Sequence, residues 1–161
     1  MTTLIGVNTS ATDTALTDGT TFGLGNTHQD HNGNTWVYVK ASAAFALGDC
    51  VAIRDTGRAT PLTTTIAKTA LRRVGFAQVA TAVDSYAWVQ VSGAVTSIHV
   101  ALDCEPKVAL YPTSNAGILD DATTSVMISG VCISTSATAA GAYSGQAAFP
   151  AISRGSNLSQ I

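Results

Sequence analysis

The chain has 161 residues, 46% of them hydrophobic and 11% charged, with a net charge of −2 and a pI of about 5.8. That is one domain's length, enough to bury a core without disulfide support. Eight Lys and Arg residues scattered along it give no phosphate-binding stripe, which argues against nucleic acid. Apolar runs of a few residues argue against a membrane span.

Residues 1–25 are rich in Thr, Ser, Gly and Asp. Their apolar residues are a cluster at Leu4, Ile5 and Val7, then isolated Leu16, Phe22 and Leu24. Such a segment cannot bury enough apolar surface to order itself. It reads as an extended N-terminal arm that orders against something else, with Leu4, Ile5, Val7 and Phe22 as its contact residues. MTTLIGVNTS has neither a basic region nor a sustained apolar core, so no secretory signal is read and assembly in a cytoplasm is expected.

Residues 26–161 read as a β-rich domain. Asn32-Gly33 is a turn signal. Residues 35–41 then alternate, with Trp36, Tyr38 and Lys40 on one face and Val37, Val39 and Ala41 on the other. Gly48-Asp49 turns into a strand at 50–54, and residues 55–57 turn again. Strands are expected at 74–81 and 86–91, joined at Asp84-Ser85, and at 95–102, with Ile98, Val100 and Leu102 on one side. Later strands are expected at 107–111, 125–128, 130–134 and 146–149. The segment 63–73 carries the best helical pattern, with Ile66, Ala70 and Leu71 on one face, but it is short and Thr-rich. Short strands with regular turns predict an all-β sandwich or barrel. A loose internal repeat, pairing Gly75 with Gly130 and Ala82 with Ala137, leaves room for two similar β-halves.

Residues for chemistry are sparse. Cys50, Cys104 and Cys132 include no C-x-x-C pair and have no His at zinc spacing, so they read as small buried hydrophobes. His28, Asp30 and His31 form one cluster of metal-ligand types, but a third ligand on the same side would have to come from Asp13 or His99. No metal or cofactor is expected. Gly-x-Ser-x-Gly is absent, Asp120-Asp121 reads as a solvated pair, and Asp103 and Glu105 have no evident cleft. No enzyme is expected. Trp36/Tyr38 and Tyr86/Trp88 each place two rings on one strand face. Cross-strand packing explains them, and a sugar-stacking platform is the functional alternative.

The succession of residues 22–25 (FGLG), 33–41 (GNTWVYVKA), 48–53 (GDCVAI), 74–78 (VGFAQ) and 86–90 (YAWVQ) resembles the capsid decoration, or cement, proteins of tailed bacteriophages. The resemblance spans roughly residues 20–95. It implies a β-rich, commonly trimeric virion protein on the outer surface of the capsid, bound to the major capsid protein and stabilising the expanded shell against packaged DNA. The alternative in another class is a carbohydrate-binding or host-attachment module of a phage tail or fibre.

Overall fold

A computed structural model describes residues 9–10, 12–13, 22–69, 72–124 and 126–154. These residues form an all-β fold with one short helix among them. In chain order the elements are β1 (Thr12–Asp13), β2 (Thr27–Gln29), β3 (Thr35–Ala41), β4 (Cys50–Ile53), β5 (Arg58–Pro61), α1 (Thr64–Thr69), β6 (Arg73–Ala77), β7 (Tyr86–Val100), β8 (Tyr111–Pro112), β9 (Leu119–Asp120), β10 (Val126–Ile133) and β11 (Gly141–Arg154).

Five strands close on themselves. β3 pairs with β5 in parallel, and the remaining pairings, β5–β4, β4–β6, β6–β7 and β7–β3, are antiparallel. Between sandwich and barrel, the chain therefore builds a barrel. Its staves bury ten residues together, Val37, Val39, Ala41, Val51, Ile53, Ala59, Ala77, Ala87, Val89 and Val91, and Phe45 joins them from the loop before β4. Four of these ten are alanines, and this is what lets so few strands close: a narrow ring has no room for large side chains from every stave.

Alternation along each stave sends the next residues outward. Cys50 and Ala52 of β4 and Val74 and Phe76 of β6 join a second, larger core with Val95, Ile98, Val100, Ile128, Val131, Ile133 and Ile152. β7 links the two cores. Residues 86–91 serve the barrel, and residues 92–100 pair with β11. The change of partner falls at Gly93, whose φ of 102° suits glycine and where any side chain would strike that of Asn34. Buried Gln90 donates from Nε2 to the carbonyls of Ser92 (3.2 Å) and Ala94 (2.9 Å), satisfying the backbone where the strand bends. The stretches 86–91 and 95–102 are thus one bent strand. It ends at Val100, and Leu102 lies beyond it, 56% exposed.

The helix is shorter than the 63–73 pattern suggests. Thr63 caps it, accepting from the Ile66 amide through Oγ1 at 3.3 Å. Its buried residue is Ala67, with Ile66 packed partly against the larger core. Ala70 and Leu71 lie outside the described residues. The loose repeat has a topological counterpart. β4, β6 and β7 are successive antiparallel neighbours. Segment 107–110 bonds to β10 through Lys107 and Leu110, and β10 pairs with β11. Gly75 and Gly130 are not equivalent, however, since only Gly130 has a positive φ.

Of residues 1–25, Thr12–Asp13 pairs with Ala87 and Tyr86 of β7. Gly25 donates its amide to the Tyr38 carbonyl at 2.8 Å. Leu4, Ile5 and Val7 lie outside the described residues.

Candidate interaction surfaces and reactive groups

The aromatic residues of β3 and β7 pack against one another. Tyr38 lies directly across from Trp88, and their ring centroids are 5.1 Å apart. Tyr86 stacks on Tyr38 at 5.9 Å, and Phe22 sets its edge against both Tyr38 (5.3 Å) and Trp88 (5.2 Å). Trp36, Tyr38 and Trp88 are buried, and Phe22 and Tyr86 are half-buried. Offset and edge-on rings at these separations add to the area they bury. The cluster fastens the chain at Phe22 to the outside of the barrel and presents no open stacking face on Trp36, Tyr38 or Trp88.

Asp30 organises the turn between β2 and β3. Oδ1 accepts from the amides of Asn32 (2.8 Å) and Asn34 (3.0 Å), and Oδ2 accepts from Asn34 Nδ2 (2.9 Å) and Trp36 Nε1 (3.1 Å). Desolvation pushes its pKa up, but the hydrogen bonds from Asn34, Trp36 and Asn32 outweigh it and hold the carboxyl below its ordinary value. Of the expected ligand cluster, Asp30 therefore has both oxygens engaged, and the His28 ring sits edge-on to Trp88 at 6.0 Å.

Two associations link residues far apart in sequence. His99 Nδ1 lies 3.0 Å from Asp49 Oδ1, while Asp49 Oδ2 accepts from the Ala46 amide at 2.8 Å. The Gly48 carbonyl accepts from the His99 amide at 2.8 Å. The pair fastens the loop before β4 to the end of β7. Elsewhere, Cys104, Asp120 and Asp121 bring ligand-type atoms within 4.8 Å of one another. Cys104 donates its thiol proton to Asp120 Oδ1 at 3.8 Å, and Asp121 Oδ2 accepts from the Glu105 amide at 2.9 Å. The sequence reads Asp120-Asp121 as a solvated pair; in the fold both carboxylates accept from segment 104–105 and tie it to the end of β9. Asp103 and Glu105 are exposed.

All three cysteines are free thiols. Burial, chiefly, raises Cys50 well above the ordinary thiol range. Burial, with the charges of Asp121 and Asp120, pushes Cys104 up to about 11. In native protein at neutral pH, a maleimide should label half-buried Cys132 and leave Cys50 and Cys104 unlabelled until denaturant is added. Mass spectrometry of the labelled peptides reads this, and native labelling of Cys50 would contradict its placement in the core.

Among the described residues, every buried side-chain nitrogen and oxygen has a hydrogen-bond partner. No helix among them is long and apolar enough to cross a membrane. The large hydrophobic residues exposed among them are Leu24, Leu47, Val83, Leu102, Val108 and Phe149. No protein-family model and no curated protein matches the chain.

Proposed function

We propose that this chain is a non-enzymatic decoration protein of a phage head. On this reading it binds the outer surface of the major capsid protein and holds neighbouring capsomers together once the shell has expanded. One observation carries the reading. Four of the segments that resemble cement proteins, 33–41, 48–53, 74–78 and 86–90, supply four of the five barrel staves, β3, β4, β6 and β7. The likeness thus falls on one continuous structural unit. The fifth, 22–25, packs on that barrel's aromatic face through Phe22.

The physics of cementing suits a small protein. A contact of about 800 Å² per partner is ordinary for a specific interface. A trimer that engages several capsomers gains avidity through effective concentration, with no single tight contact required. Leu4, Ile5 and Val7 are the candidates for an arm that adds as a strand to a capsid neighbour.

Adding purified protein to expanded shells of its own phage is expected to raise the temperature at which they rupture, in proportion to occupancy and up to a plateau. A rupture temperature unchanged at saturating protein would sink the cementing role.

A further inference from the structure

β10 and β11 lose register at one place. Ser129 pairs with Ala151 and Val131 with Ala147, so the single residue Gly130 faces three, Ala148, Phe149 and Pro150. Gly130 sits at φ 76°, and a Cβ there would lie 2.7 Å from the Ala148 carbonyl oxygen. The bulge has no space for any other residue. Opposite it, Phe149 has φ 48°. A bulky L-residue rarely adopts this left-handed conformation. Its ring gains little from the fold in return, since Phe149 is 63% exposed, the most exposed of the large hydrophobic residues described. A strained backbone that holds an aromatic ring in water is disfavoured for the isolated molecule, and such residues persist where function retains them.

Beside the bulge lies an open, mainly apolar groove of about 550 Å³, lined by residues that include Val108, Ala109, Val131 and Ala147, with Lys107, Ser129 and Gln146 among its polar members. No carboxylate lines it. The described ion pairs are Lys40–Asp84 and His99–Asp49, which leaves the Lys107 ammonium without a carboxylate among the described residues. A mainly apolar groove with one cation in its lining is complementary to an aromatic ring, whose negative face attracts the cation while its body fills the groove. The same hairpin therefore carries both halves of a contact, a projecting phenyl ring and a groove that accepts one.

We infer that this hairpin is a self-association surface in which Phe149 of one copy enters the groove of a second copy, with its ring under the Lys107 ammonium. The contact is between copies of this chain and is the kind of contact the trimer of the cementing reading needs, but it requires no shell, so a monomeric protein that still binds shells would sink it alone.

Analytical ultracentrifugation of the purified protein across a concentration series tests it. Wild type is expected to associate reversibly, and Phe149→Ala to raise the dissociation constant by about 30-fold or more, as loss of a central aromatic anchor does. Val108→Glu, which blocks the groove and leaves the ring, is expected to weaken association comparably. Phe149→Gly separates strain from contact: it should abolish association and raise the melting temperature of the monomer above that of Phe149→Ala, because glycine accepts the left-handed backbone. A readout on unmutated protein is maleimide labelling of Cys132, which also lines the groove; it should slow as wild type associates and stay constant for Phe149→Ala. Wild type that remains monomeric at every concentration, or Phe149→Ala that associates as wild type does, overturns the inference.

Discussion

Phe76→Ala is expected to destabilise the protein by about 3–5 kcal/mol, the range for removing a fully buried phenylalanine. Phe76 has no exposed surface and lies on the outward face of β6, within the larger core. Its backbone pairs with Cys50 of β4 and Gln90 of β7, so it sits where two barrel staves meet the layer beyond them. A cavity there removes packing from both sides of the wall. Sheet scaffolds relax poorly around such a void, because moving one strand breaks ladders on either side. Urea denaturation checks the value: the midpoint should fall while the slope is unchanged. A loss below about 1 kcal/mol would mean that this core is not packed as described.

Asp30→Ala is expected to cost about 2–3 kcal/mol, since charge-assisted hydrogen bonds are stronger than neutral ones. Four donors lose their acceptor together, and one of them, Trp36 Nε1, belongs to a buried ring. The pH dependence has a defined sign. The carboxyl's pKa is lower in the folded protein than in the unfolded chain, where it is about 3.9. Its stabilisation is fully present above the unfolded value and is lost as pH falls through the folded one. Wild type minus Asp30→Ala, measured by denaturation between neutral and strongly acid pH, should therefore shrink on the acid side only. Asp30→Asn keeps an acceptor for the amides but loses the charge, and should fall between the two. A difference constant across the acid range would show that the carboxylate's charge contributes nothing.

The elements legible from sequence are those whose signal is local. The alternation of 35–41 matches β3, and Gly48-Asp49 leads into β4. The aromatic pairs could be assigned to packing because two ring pairs on complementary strands meet most economically across a ladder. The all-β class is legible too, but the choice of barrel over sandwich is not. The barrel's closing stave, β5, reads Arg-Ala-Thr-Pro, four residues with alanine as the sole interior hydrophobe before a terminal proline, so its strand signature is weak. It is a strand because it lies between β3 and β4, a tertiary effect. β11 likewise runs for 14 residues through Gly, Ser and Pro, positions that weaken a strand taken alone, because β7 and β10 pair with it on both sides.

The side-chain groups that the fold brings together were harder still. Asp49 and His99 stand fifty residues apart, with no motif joining them. Cys104 approaches Asp120 and Asp121 only because the chain turns back at β8 and β9. Phe149 carries no sign in sequence of its left-handed backbone, although a Phe-Pro pair opposite a lone glycine in the neighbouring strand would point to a bulge once the pairing is known. Resemblance therefore remains the main support for function, and the barrel adds that the resembling segments form one unit.

Co-sedimentation with the phage's own shells, expanded against unexpanded, tests the central claim most directly. The cement reading predicts saturable binding to expanded shells, little to unexpanded ones, and loss of binding when residues 1–20 are deleted from a chain that still folds. Failure to bind either shell at saturating protein would contradict it.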